Sequence, residues 1–149
     1  MHPSRQLGEY MVQLNLMIPE FSIEKKDFVS RIFIVEDNPN IREYLERILI
    51  VMGFHTASSA SGKEALEKIS EKIPDLILMD VLLEDIDGLS VCQKLQANPR
   101  TRKIPIIMVS CMSDHNTIKN ATTYGAVDFI EKPFEQSILK AKIQKALSL

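Results

Sequence analysis

Tryptophan is absent from this 149-residue chain, cysteine occurs twice, and glycine occurs five times. The two cysteines, Cys92 and Cys111, form no CxxC pair and no metal-ligand spacing. That excludes a disulfide scaffold and a thiolate zinc site. Two lone thiols fit a reducing cytoplasm, and each reads as a small buried apolar residue. Neither sign of charge dominates: 18 Lys and Arg stand against 20 Asp and Glu, for a net charge of −2. No global basic field exists to draw nucleic acid or an anionic membrane. The longest apolar runs, such as residues 104–109 and 76–79, are strand-sized, far below the roughly 20 residues a membrane helix needs. Residues 1–9 carry no apolar core of a secretory signal. What is present, 45% hydrophobic and 26% charged residues, describes one ordinary globular domain with room for a short extension.

From Val29 onward, short apolar runs alternate with helical patterns. Arg31–Val35 is β-branched and apolar and stops at Glu36-Asp37-Asn38-Pro39. Ile41, Tyr44, Leu45, Ile48 and Met52 then recur at steps of three and four, a helix stripe ending at Gly53. Residues 54–57 make a weaker strand. Ser61 with Glu64 forms a capping box for a helix carrying Ala65, Leu66 and Ile69. The run 76–79 is apolar on both faces, as a central strand between two layers must be. Gly88–Ala97 reads as a helix, 104–109 as a buried strand, and 113–124 as a helix closed by Gly125. Residues 127–130 form the fifth strand. Residues 134–147 form the last helix, with Ile138, Leu139, Ala141, Lys142, Ile143 and Ala146 toward the core. Met79, Met108 and Met112 read as core or site-wall residues, and His2, His55 and His115 have no metal-ligand spacing. Five successive βα units predict an α/β fold, a doubly wound five-stranded parallel sheet with helices on both faces. A ligand site in such a sheet lies at the carboxyl ends of the strands.

Those ends carry Glu36-Asp37, Asp80, Ser110 and Lys132. Crowded carboxylates repel one another unless a cation sits between them. An all-oxygen set with few protein ligands in an open crevice suits Mg²⁺, which keeps waters and accepts a phosphate oxygen as a further ligand. A lysine beside the acids serves as a point charge for that phosphate, and a hydroxyl donates to it. A carboxylate that attacks a phosphoryl group forms an acyl phosphate. Singly, the paired acids read equally well as helix N-terminal charges, Asp80 as a turn cap, and Lys132 as a solvated lysine. Their joint placement carries the reading.

Over residues 30–148 the chain resembles the receiver domain of two-component response regulators. The resemblance rests on Val35-Glu36-Asp37-Asn38-Pro39, on Asp80 with Asp87-Gly88 downstream, on Val109-Ser110 and on Lys132-Pro133-Phe134, in that order. It implies a flavodoxin-like sheet of order 2-1-3-4-5 and a phosphorelay signalling switch that assists its own phosphotransfer and dephosphorylation, not an enzyme. By position, Asp80 is the implied phosphoacceptor. Glu36, Asp37, Asp80 and the backbone carbonyl of Leu82 are the implied Mg²⁺ ligands, Glu36 mostly through a water. Ser110 and Lys132 are the implied phosphate-binding residues, Ser110 and Phe129 the switch pair, and Lys132–Pro133 a cis peptide bond. The implied donor is a histidine kinase or a histidine phosphotransfer protein. The implied readout is a downstream protein on the face of the fourth helix, fifth strand and fifth helix, with no nucleic acid and no membrane. By the same resemblance, Leu82 and Met112 hold the positions implied to flank the path of an attacking water, and neither side chain can orient one, so a comparatively long-lived acyl phosphate is expected.

Two positions depart from the family pattern. Glu84 stands where proline is usual, so the acidic loop after Asp80 loses a φ restraint and gains charge, which is expected to alter its mobility or the docking of the donor without removing the chemistry. Cys111 stands where a smaller residue is usual, and is expected to narrow access to the phosphate. With nothing after the last helix, the chain reads as a stand-alone receiver. A phosphorelay intermediate, or a fragment of a larger hybrid kinase or response regulator, is the alternative. An aspartyl-phosphate phosphohydrolase would carry a DxD pair after the first strand, and a flavin module a hydroxyl-rich phosphate loop there. Strand one ends in Glu36-Asp37-Asn38 instead. A receiver fold without chemistry would lack the site residues present here. Lys140, Lys142 and Lys145 read as solvated charges because no aromatic residue interleaves them.

Residues 1–28 precede the receiver, which spans 29–149. Within them, Leu7, Tyr10, Met11, Leu14, Met17 and Ile18 mark an amphipathic helix over residues 4–18 that Pro19 ends. Such a short helix is marginal alone and must bury its stripe. Packing on its own domain, vector-derived sequence, and a helix that forms a homodimer or binds a partner all fit.

Overall fold

The computed structural model describes residues 29–111 and 115–148. The extension 1–28 with its helix 4–18, and Met112, therefore lie outside the described residues. Ten elements alternate along the described chain: β1 (Arg31–Val35), α1 (Pro39–Val51), β2 (His55–Ser59), α2 (Gly62–Glu71), β3 (Leu76–Asp80), α3 (Gly88–Ala97), β4 (Ile106–Ser110), α4 (His115–Thr123), β5 (Asp128–Glu131) and α5 (Gln136–Leu147). The five strands are parallel and ordered β2-β1-β3-β4-β5. This is the doubly wound, flavodoxin-like sheet expected from the alternation and the resemblance.

Successive strand side chains point to opposite faces, so β1 feeds two cores. Phe33 and Val35 join Ile77, Met79 and Met108 against α2, α3 and Ala121 of α4. Ile32 and Ile34 join Leu78, Ile107 and Val109 against α1 and α5. Every residue of β3 and β4 is buried, which is why those strands are apolar without alternation. β2 is an edge strand and mostly half-buried. Its polar sequence obscures its length: it runs His55–Ser59, while Phe54 turns into the core. Gly53 and Gly125 take φ of 99° and 102° after α1 and α4, a region that disfavours a Cβ.

Several sequence assignments are corrected. Tyr44 is 45% exposed and Ile138 is 47% exposed, because the buried stripes are Leu45, Ile48 and Leu49 on α1 and Leu139, Ile143 and Ala146 on α5. Cys92 is buried but Cys111 is exposed, since the chain leaves the sheet after Ser110. Lys142 is not a freely solvated charge. It is half-buried, and its Nζ donates to Asp128 Oδ1 at 2.9 Å and to the Phe129 carbonyl at 2.7 Å.

Candidate functional site

Parallel register assembles the site. Val35 pairs with Met79, Asp80 with Val109, and Ser110 with Glu131. Residues that end neighbouring strands therefore emerge side by side. The Lys132 N–H donates to the Ser110 carbonyl at 2.9 Å, and the Glu36 N–H to the Ser59 carbonyl at 3.1 Å, so the strand ends are tied across the sheet. Asn38 caps α1, its side chain accepting from the Asn40 and Ile41 N–H groups at 2.9 and 3.2 Å.

One oxygen from each of Glu36, Asp37 and Asp80 lies within 4.8 Å of the other two. Glu36 and Asp80 are buried and Asp37 is half-buried. Lys132 Nζ reaches between the first two, hydrogen-bonding Glu36 Oε1 and lying 3.2 Å from Asp80 Oδ2. Burial, and then the neighbouring Asp80, push the Glu36 carboxyl above the usual range despite the lysine. Burial works against the Lys132 ammonium, but the Glu36 hydrogen bond and the charges of Asp80 and Glu36 outweigh it and hold its pKa above the ordinary lysine value. Two carboxylates thus meet the Lys132 ammonium and a third lies within 4.8 Å of both, an excess of negative charge in a partly desolvated crevice. The donor set is all oxygen and compact, and it fits a hard divalent ion.

The remaining expected residues lie on the loop after β3, at the end of β4 and along β5. Asp80 Oδ1 accepts the Leu82 N–H at 3.1 Å, so Asp80 also caps its own turn, and Leu82 is exposed at the rim. Ser110 is fully buried at the end of β4, one residue beyond the partner of Asp80. Phe129 is half-buried beside Met108 and packs on the core. The Lys132–Pro133 bond is cis. Gly88 opens α3 so close to β3 that a Cβ would overlap the Asp80 carbonyl oxygen.

Sequence reading missed two supports. The Arg42 guanidinium donates to the Glu36 carbonyl at 2.8 Å and so braces the turn that carries both acids. Its place on the first turns of α1, one turn after the capping Asn38, is the only sequence signal for it. The Asp85 carboxylate accepts the Gly62 and Lys63 N–H groups at 2.9 and 3.0 Å. Those partners are 23 and 22 residues away along the chain, so they leave no local pattern. The contact fastens the chain after Asp80 to the start of α2.

Comparison with known proteins accords with this geometry. The response regulator receiver domain family model matches residues 32–144. A transcriptional regulatory protein of Streptomyces coelicolor, AfsQ1, is 35% identical over 116 residues, covering 78% of this chain and 50% of that one. The receiver domain of a signal transduction histidine kinase from Syntrophus aciditrophicus is 37% identical, with a TM-score of 0.75 over 80% of this chain and 91% of that one. The receiver domain of the sensor histidine kinase PA1611 from Pseudomonas aeruginosa, whose active-site cleft coordinates a magnesium ion, is 28% identical, with a TM-score of 0.76 over 81% of this chain and 99% of that one. The chain belongs to the response regulator receiver domain family, whose members are phosphoacceptor signalling domains of two-component systems. It spans about half the length of the curated relatives it matches. Among the described residues, no helix is long and apolar enough to cross a membrane.

Proposed function

We propose that Asp80 accepts a phosphoryl group from a phosphohistidine of a histidine kinase or histidine phosphotransfer protein, and that the chain thereby switches a downstream partner. The supporting observation is the charge arrangement: Lys132 bridging Glu36 and Asp80, with Asp37 within 4.8 Å. A carboxylate oxygen of Asp80 attacks phosphorus, the P–N bond to the donor imidazole breaks, and the imidazole leaves with the bonding pair. Glu36, Asp37, Asp80 and the Leu82 carbonyl would hold Mg²⁺, which when bound offsets the charge on the phosphoryl oxygens. Lys132 moves its ammonium from Asp80 to the new phosphate, and the Ser110 hydroxyl donates to another phosphate oxygen. Phe129 then turns into the space that Ser110 leaves, and the α4–β5–α5 surface changes shape.

That surface can seat a partner. A groove of about 620 Å³ lies between β5, α4 and α5, lined by Ile118, Phe129, Phe134 and Ile138 and flanked by Asp128 and Lys142. It carries exposed apolar side chains, Ile118 and Ile138, within reach of the proposed switch residue. Incubation with acetyl phosphate tests the assignment. The expected result is a Mg²⁺-dependent, base-labile phosphoryl group on wild type and none on Asp80→Asn. Equal labelling of the two proteins refutes it.

A further inference from the structure

Seven residues, Val81-Leu82-Leu83-Glu84-Asp85-Ile86-Asp87, join β3 to α3, and no proline stiffens them. Leu82 sits early in this loop, and on the reading above its carbonyl is a metal ligand. Two contacts hold the middle of the loop to α2. The Asp85 carboxylate spans the Gly62 and Lys63 N–H groups, both left without intrahelical partners at a helix start. Ile86 lies over Gly62, where a Cβ would overlap its Cγ2. These amide bonds, Lys63 first and then Gly62, hold the Asp85 carboxyl below its usual range, so the latch is charged at neutral pH.

The contacts form a closed ring around the crevice. Asp80 accepts from Leu82, the loop reaches α2 through Asp85, and α2 follows β2, whose Ser59 carbonyl accepts the Glu36 N–H. Glu36 returns to Asp80 through Lys132. Without Asp85 the ring loses its hydrogen bonds between the loop and α2 and keeps there only the packing of Ile86 over Gly62.

We infer that Asp85 is a positioning residue for the phosphorylation site: its bonds to Gly62 and Lys63 hold the loop that presents the Leu82 carbonyl to the divalent ion. The inference rests on the proposed metal site, and its test separates the two. Ser61 supplies the matched control, because its side chain caps the same helix through the Glu64 N–H at 3.2 Å and, among the described residues, forms no hydrogen bond to the loop. Two measurements are made on the full chain: amide hydrogen exchange at Leu82 and Leu83 without metal, and the Mg²⁺ dissociation constant by calorimetry.

Asp85→Ala is expected to speed exchange at both amides and to weaken Mg²⁺ binding roughly tenfold, the lower end of the loss on removing a group that orients a ligand. Ser61→Ala should leave both readings close to those of wild type, because its capping bond does not hold the loop. Asp85→Asn keeps one acceptor oxygen and should fall between wild type and Asp85→Ala. It carries the test if the alanine variant fails to fold. Equal effects of Asp85→Ala and Ser61→Ala would reduce the latch to helix stability and overturn the inference, as would unchanged exchange in Asp85→Ala. If wild type binds no Mg²⁺, the metal site is refuted and with it the role of Asp85 toward the ion, whatever the exchange shows.

Discussion

Replacing Asp80 by Asn should stabilise the metal-free protein while removing most of its response to Mg²⁺. At an effective dielectric of about 20, two carboxylates within 4.8 Å of each other repel by about 3.5 kcal/mol or more. Asp80 has two such neighbours, Glu36 and Asp37, so about 7 kcal/mol of repulsion is relieved on that scale. The same change forfeits the attraction to Lys132 Nζ at 3.2 Å, about 5 kcal/mol by the same rule. Solvent screens the share of half-buried Asp37, and the net gain shrinks to about 1 kcal/mol. For a domain of this size that is about 3–5 °C in melting temperature. Wild type should recover the deficit with metal, since a ligand at ten times its dissociation constant adds about 1.4 kcal/mol. Thermal melts at pH 8, with EDTA and then with millimolar Mg²⁺, read both effects. A variant that melts no higher than wild type in EDTA would refute the repulsion argument. One that keeps the full Mg²⁺ shift would remove Asp80 from the ligand set.

The remaining expectations concern pH, packing and thiol chemistry. Glu36 titrates above its ordinary value of 4.5, so its contribution to stability is fully present below that pH and is lost as pH rises through its raised folded value. Metal-free protein should therefore lose stability on going from pH 4.5 toward neutrality more steeply than protein with Mg²⁺, and parallel urea curves with and without metal would refute this. Gly88→Ala drives a Cβ into the Asp80 carbonyl oxygen, backbone that cannot step aside. It should cost about 1–3 kcal/mol or more in urea unfolding, and an unchanged midpoint would contradict the close approach of α3 to β3. Cys111 is exposed, whereas burial pushes the Cys92 thiol up to about 11. A disulfide reagent at pH 8 should label Cys111 in the native protein and Cys92 only after unfolding, as peptide mapping will show.

Much of this architecture was legible in the chain because it depends on local periodicity. β3 and β4 are buried on both faces, and a strand in that position must be apolar at nearly every residue. The runs 76–79 and 106–109 therefore announce a parallel sheet covered on both sides. The convergence of Glu36, Asp37, Asp80, Ser110 and Lys132 was legible because each lies at a strand end, and parallel strands in register deliver their ends to one edge. The edge strand was blurred because β2 is half-solvated, and nothing in His55–Ser59 requires an apolar pattern.

Other features were decided only by the tertiary structure. Lys140, Lys142 and Lys145 look alike in sequence, yet only the packing of α5 against β5 gives Lys142 two acceptors on that strand. Glu84, Asp85 and Asp87 read as one acidic run. Folding sorts them: Asp87 caps α3 through the Leu89 N–H, and Asp85 crosses to α2. Cys111 parted from Cys92 because it follows the last residue of a strand, whereas Cys92 lies on the buried face of α3. A side chain's neighbours on its own element follow from its spacing along the chain. Its partners across elements follow only from how those elements dock, and those partners decide whether a charge is solvated, paired or used as a clasp.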